Sequence, residues 1–283
     1  MSIPLECVKV EKHNGISWVY LNRPAKKNAM SPKLHLEMDA VLEELETDAD
    51  TKVVVIAGAG GNFSAGQDLK EFFREMEGKP AEFKRIKKVA NRWRWERLYM
   101  YDKPTICMVE GYCAGGAFMQ LIATDFVVTA EDAIYSLSEV NWGIIPGALV
   151  ARAVTEAMRY RDALYYACLG DPFDGKEAQR IGLANICVPK DQLVSATEKL
   201  AQKLMSKSPA VLRATKQAMR SVRTMDVQQA YDYLDAKNAS VAANDPEKSY
   251  DTGLSQFLDK KGYKPVYGAF ELGTLLTDQT AKK

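Results

Sequence analysis

Two glycine-bearing junctions and one glutamate carry the chemistry open to this sequence. Asn62-Phe63-Ser64-Ala65-Gly66-Gln67-Asp68-Leu69-Lys70 is a loop turning into a helix, and Gly111-Tyr112-Cys113-Ala114-Gly115-Gly116-Ala117 is a second strand-loop-helix junction. Each junction leaves unpaired backbone N–H groups at a helix start. If the loops face one another, two of those groups converge on one oxygen, which is an oxyanion hole. Taken singly, the glycines are better explained as residues that permit tight turns. The glutamate is Glu139, in Ser138-Glu139-Val140-Asn141-Trp142-Gly143-Ile144-Ile145-Pro146-Gly147. A lone glutamate is usually a surface residue. This one follows a strand and sits among apolar residues, where burial raises a carboxyl pKa and suits it to proton transfer.

Other chemistries lack their residues. A Ser-His-Asp hydrolase would have to use His13 or His35, and no G-x-S-x-G elbow accompanies them. Asp39 is one turn from His35, but one histidine and one carboxylate are too few for zinc, so no metal is expected. Gly58-Ala59-Gly60 follows a strand, yet the last position of a dinucleotide fingerprint falls on Phe63, and no Gly-Lys-Ser/Thr follows. Lys plus Arg is 38 and Asp plus Glu is 37, a balance that argues against nucleic acid or an anionic membrane as partner. No apolar run is long enough to span a bilayer, and the start, MSIPLECVKV, lacks a secretion signal. With Cys7, Cys107, Cys113, Cys168 and Cys187 scattered, the expectation is a cytoplasmic protein with reduced thiols.

The elements that must position these groups can be read from periodicity. Leu5 to Val10 and Ile16 to Leu21 alternate around His13-Asn14-Gly15, a hairpin. Ser31-Pro32 opens a helix whose apolar face is Leu34, Met38, Val41, Leu42 and Leu45. Val53 to Ala57 is a β-branched run typical of a strand buried on both faces. The cycle recurs with strands at 105–109, 125–129, 133–137 and 185–188, a loop over 111–116 and a helix over 117–123. From Lys190 the pattern is helical, roughly 191–206, 209–222, 225–243 and 247–260. This is an α/β protein, with a core over 1–205 and a helical region over 206–283 whose last residues, 279–283, are expected to fray. The basic stretch Lys84 to Arg97 spreads its charge around a helix with Phe83, Ile86, Val89 and Trp93 on the apolar side. It reads as a solvated face, with contact to an anionic ligand as the other option.

F-S-A-G-Q-D-L-K, then G-Y-C-A-G-G-A-F, then S-E-V-N-W-G-I-I-P-G, in that order, resemble the crotonase (enoyl-CoA hydratase/isomerase) superfamily, and Leu21 to Met30 is similar to its CoA-loop motif. The resemblance runs from about Leu5 to Phe257. It implies a spiral of ββα units with C-terminal helices that mediate homotrimers or dimers of trimers. It also implies an acyl-CoA thioester as substrate, coenzyme A being part of that substrate and no cofactor being permanently bound. The thioester carbonyl would accept the N–H groups of Gln67 and Gly116. Simple hydratases carry two glutamates; the second matches Glu139, and the first matches Met119, which can neither hold water nor move a proton.

S-E-x-N-W-G, D-L-K-E-F-F-R-E, Trp93 with Trp95, and the Gly253 to Lys261 segment look most like the hydroxycinnamoyl-CoA hydratase-lyases. Those enzymes hydrate feruloyl- or 4-coumaroyl-CoA and cleave the product to an aromatic aldehyde and acetyl-CoA with one acidic residue. The resemblance sets Phe72, Met119, Trp142, Gly147, Tyr231 and Asp235 around the acyl group. It sets Lys26, Ala65 and Leu69 on the nucleotide end, with Phe257 and Lys260 supplied by a neighbouring subunit. The subgroup's two phenol-binding tyrosines match Phe72 and Asp235 here. Asp235 could accept the phenol proton, Tyr231 on the same helix face could stand in, or the substrate could lack the phenol. A hydratase or isomerase for another acyl-CoA is the alternative, and a non-catalytic acyl-CoA-binding protein a third reading.

Overall fold

The computed structural model describes residues 4–272, and the expected fraying at 279–283 lies outside them. The chain divides into two compact units, Met1–Ala201 and Gln202–Lys283. In the first, β1 (Val8–His13) pairs antiparallel with β2 (Ile16–Leu21), His13 opposite Ile16. Asn14 (φ 52°) and Gly15 (φ 77°) both take the left-handed conformation that a two-residue hairpin needs, which is why Asn-Gly marks it. The sheet then runs parallel through β3 (Val53–Gly58), β4 (Thr105–Val109), β6 (Phe126–Ala130) and β8 (Ile186–Val188), in the order β1-β2-β3-β4-β6-β8. Every residue of β3 and β4 is buried, so their sequences are apolar without alternation. Against this sheet lies α1 (Pro32–Thr47), started by Ser31, whose hydroxyl accepts the Leu34 N–H, and burying the five expected apolar residues.

A second, shorter layer is only partly legible in the sequence: the strand expected over 133–137 belongs to it, but the partner of that strand was not expected. Residues 112–114, expected as loop, form strand β5 (Tyr112–Ala114), parallel to β7 (Ile134–Ser136). Ser64 bridges Cys113, and Met30 bridges Gln67. Each turn of the chain thus places a strand in the large sheet, a short extended piece in the second layer, then a helix. The turns are β2, Met30 and α1; β3, Ser64–Gln67 and α2 (Pro80–Asn91); β4, β5 and α3 (Phe118–Ala123); and β6 with β7.

Three helices, α4 (Val150–Ala157), α5 (Tyr160–Leu169) and α6 (Gly175–Arg180), fill a stretch in which the sequence suggested no element. The first two start without a side-chain cap, so no start signal announced them. After α7 (Leu193–Met205), the second unit holds α8 (Pro209–Ser221), capped by Ser208, and α9 (Val227–Asn244), opened by an Asp226–Gln229 capping box. It ends on α10 (Ser249–Leu254) and a π-type turn over Ser255–Asp259. Neither α8 nor α9 buries a residue.

Candidate active site

The groups singled out by chemistry sit at the ends of the short second-layer segments. In the first loop, Ser64 Oγ donates to Asn28 O (2.8 Å) and accepts the Gly66 N–H (3.1 Å). The Met30 N–H donates to Gly66 O at 2.7 Å, and the Asp68 N–H to Met30 O at 3.0 Å. The Gln67 N–H between them donates to no acceptor among the described residues. Asp68 fixes the following turn by accepting from Lys70 N and Glu71 N, and Arg23 Nη1 donates to it at 2.9 Å and to Ala29 O at 2.6 Å. Burial works to raise the Asp68 pKa, but the Glu71 N–H and Arg23 outweigh it and hold it low.

The second loop is stitched to the first: Ser64 N donates to Tyr112 O (2.8 Å) and Ala114 N to Ser64 O (3.0 Å). Gly115 (φ 51°) then turns the chain into a 3-10 turn over Gly115–Ala117, whose first free N–H groups include that of Gly116. At Gly66 (φ 90°) a Cβ would come within 2.7 Å of Ala114 O and 3.4 Å of Gly116 N, so the two loops touch only because this residue has no side chain. The two N–H groups thus belong to abutting loops, as an oxyanion hole requires.

Glu139 follows β7 in a 3-10 turn over Ser138–Trp142 that Gly143 (φ 73°) closes. Its Oε1 lies 3.4 Å from where a Gly115 Cβ would stand, and its Oε2 is buried with no hydrogen-bond partner. Burial raises its pKa, opposed only by its own backbone N–H. Such a carboxyl is poised for proton transfer.

These residues share one cavity of about 530 Å³. Of the positions carried by the resemblance, Gln67, Gly116, Glu139, Phe72, Met119, Trp142, Gly147, Ala65 and Leu69 all line it. Met119 is fully buried, and Phe72 packs edge-on against His35, Phe73 and Phe83. Lys26 is exposed beside the wall, where the neighbouring Lys27 O accepts the Ala65 N–H. Tyr231, Asp235, Phe257 and Lys260 belong to the second unit. There Tyr231 is exposed, and Asp235 lines a separate cavity with Val211 and Asn238.

One residue corrects the sequence reading. The basic stretch is not uniformly solvated: Lys87, Asn91 and Arg94, spaced i, i+4, i+7, face the cavity, and Arg94 is only 2% exposed. Arg92 and Arg97 pair with Asp39, whereas Arg94 donates to the carbonyls of Ala90 (2.9 Å) and Gly116 (3.2 Å). The helical face Lys87-Asn91-Arg94 was there to find, but charge alone does not tell an inward arginine from an outward one.

Residues 11–268 match the model of the enoyl-CoA hydratase/isomerase family. The chain belongs to that family. Over 265 residues it is 45% identical to a hydroxycinnamoyl-CoA hydratase-lyase of Pseudomonas fluorescens, covering 93% of this chain and 96% of that one. It is 30% identical to a 2,3-dehydroadipyl-CoA hydratase of Escherichia coli over 89% of this chain and 95% of the relative. Among solved structures, an enoyl-CoA hydratase from Shewanella pealeana superposes with a TM-score of 0.81 at 27% identity, over 90% of this chain and 94% of that one. One from Mycobacterium tuberculosis gives 0.76 at 27% identity, over 90% and 96%. The ββα spiral is therefore the crotonase fold. Among the described residues no helix is long and apolar enough to cross a membrane.

Proposed function

We propose that this crotonase-family protein hydrates a hydroxycinnamoyl-CoA-type thioester, such as feruloyl- or 4-coumaroyl-CoA, and cleaves the product to an aromatic aldehyde and acetyl-CoA. The observation that carries the reading is the cavity's acid–base inventory: Glu139 is the one carboxylate on its described wall, which also holds Met119, the residue that the resemblance matches to the other acid of a two-carboxylate hydratase. Similarity to a relative named for this activity supports it.

In this reading the Gln67 and Gly116 N–H groups hold the thioester oxygen. A para-phenol that gives up its proton lets the ring push electrons through the double bond into the thioester enolate. Protonation of Cα leaves a quinone methide, and water adds at its Cβ and loses a proton, restoring the phenolate and giving the β-hydroxy thioester. Glu139 then takes the proton of the β-hydroxyl. The Cα–Cβ bond breaks with its electron pair moving into the enolate, the aldehyde C=O forms, and protonation of Cα yields acetyl-CoA. Coenzyme A enters as part of the substrate, with Lys26, Ala65 and Leu69 on its nucleotide end, Phe257 and Lys260 completing that end from a neighbouring subunit, and no permanent cofactor. Self-assembly into trimers or dimers of trimers is supported by apolar residues left open on α8 and α9, Met219 and Val227 among them. The reading places the enzyme in the cytoplasm, with neither nucleic acid nor membrane as partner.

The second reading, a hydratase or isomerase for a different acyl-CoA, draws on Phe72 and Asp235, which stand where phenol-binding tyrosines would. The deciding experiment offers feruloyl-CoA and crotonyl-CoA separately and identifies products by mass. Aldehyde with acetyl-CoA supports the lyase. Hydrated thioester without cleavage selects the second reading.

A further inference from the structure

Arg94 is a cation buried without a counter-charge. No carboxylate lies within ion-pair distance of it among the described residues, while its neighbours Arg92 and Arg97 both have Asp39. Desolvation pulls its pKa down to about 9, which still leaves it protonated at neutral pH. A lone buried guanidinium is costly, so a chain that keeps one in a cavity wall uses it for something other than stability.

The polar groups around it are short of an acceptor. Trp93 Nε1 donates to His35 Nδ1 at 3.0 Å, and an indole N–H can only donate. His35 Nε2 is 2.8 Å from the Gln67 side-chain amide, whose other terminal atom is 3.1 Å and 3.3 Å from the two Nη atoms of Arg94. The three contacts in this row need three acceptors, and the neutral imidazole and the amide supply two. If the Trp93 bond fixes the His35 proton on Nε2, Gln67 accepts it and turns its NH2 towards Arg94. If Gln67 turns its oxygen to Arg94, two N–H groups oppose each other further back. Only the first arrangement leaves Arg94 and Gln67 donors facing one another on the cavity wall; in the second the amide oxygen accepts from both Nη atoms, and the NH2 also reaches Met30 O at 3.2 Å.

The location is specific. A Cβ at Gly116 would meet Arg94 Nη1 at 3.2 Å and Gln67 Cγ at 3.2 Å, so the guanidinium packs against the two residues whose N–H groups would form the oxyanion hole. We infer that Arg94 is a positioning residue that holds the Gly116 peptide by its carbonyl and places a fixed positive charge behind the thioester oxygen, so that the enolate develops against a cation as well as two N–H groups. This rests on the oxyanion-hole reading but not on the identity of the acyl group.

The test binds 3-phenylpropionyl-CoA, saturated and labelled with ¹³C at the carbonyl, to wild type, Arg94→Lys, Arg94→Gln and Arg94→Met, and reads the carbonyl stretch by difference infrared spectroscopy. Wild type and Arg94→Lys should shift it to lower frequency. Arg94→Gln, which can still bond Gly116 O but has no charge, should shift it less, and Arg94→Met less again. With feruloyl-CoA, Arg94→Met should lose about 100-fold in kcat with KM within about threefold, the pattern of an interaction made in the transition state. A carbonyl frequency in Arg94→Gln equal to wild type overturns the inference, and that variant decides even if Arg94→Met fails to fold. Should wild type leave feruloyl-CoA intact, the proposed function falls while the infrared shift still judges Arg94.

Discussion

Glu139 and Arg94 address two consecutive glycines: Oε1 of the one lies 3.4 Å from the Cβ position of Gly115, and Nη1 of the other 3.2 Å from that of Gly116. A carboxyl with an orphan oxygen and a guanidinium without a counter-charge therefore flank a single peptide whose N–H is half of the proposed oxyanion hole. Neither group has been neutralised by a nearer partner, and both remain available to a reacting thioester. Any side chain on either glycine would intrude on one of them.

Replacing Glu139 by Gln should remove general-base assistance at nearly constant shape. The expected loss in kcat is about 10²–10⁴-fold, with thioester affinity by calorimetry unchanged. Because burial raises the Glu139 pKa above its ordinary 4.5, kcat in wild type should fall as pH drops through that raised value and recover above it. An acid limb at ordinary carboxylate values would contradict the geometry.

Gly116→Ala is expected to fold and to fail catalytically. The new methyl group must displace Arg94 or Gln67, each 3.2 Å away, which moves the N–H donor from its position. Losing one oxyanion donor costs about 10²–10³ in kcat, measurable by steady-state kinetics.

Met119→Glu should trade one activity for another. A second carboxylate on the wall that already holds Glu139 is the equipment of simple hydration, so turnover of crotonyl-CoA should rise and aldehyde release from feruloyl-CoA fall. Unchanged ratios would show that residue 119 does not select the reaction.

Gly66→Ala should hurt stability itself. It forces a Cβ to 2.7 Å from Ala114 O at φ 90°, and strain of this kind costs about 1–3 kcal/mol. A Tm within a degree or so of wild type would mean that the two loops can part freely.

His35 gives the fold a pH dependence of known sign. It is fully buried, with its pKa pulled well below 6.5 by burial first and then by the charge of Arg94, against which the Gln67 bond works weakly. The unfolded histidine takes up a proton below 6.5 that the folded one refuses. Its contribution is therefore complete above 6.5 and is lost as pH falls, by up to about 1.4 kcal/mol per pH unit. Urea melts of wild type and His35→Phe between pH 7 and 5 should show the flatter slope in the variant, although its starting stability is lower because the Trp93 N–H loses its acceptor.

Local chemistry alone determined much of this protein. Asn14-Gly15, Ser31-Pro32 and the runs at 53–57 and 105–109 each name their own structure, because the turn conformation, the cap and two-sided burial are set by neighbouring residues. The two glycine-rich junctions and Glu139, a carboxyl in an apolar segment, were visible one at a time for a related reason, whereas the choice of Gln67 and Gly116 within those junctions came from the family resemblance. What tertiary structure decided is which of these meet. The second layer exists through single bridges such as Ser64–Cys113, between residues 49 positions apart, and no periodicity records such a pairing. Arg92, Arg94 and Arg97 look alike in sequence. Only the packing of the π-helical turn over Arg92–Arg97 against α1 and α3 sends two of them to Asp39 and buries the third, without a partner charge, against Gly116.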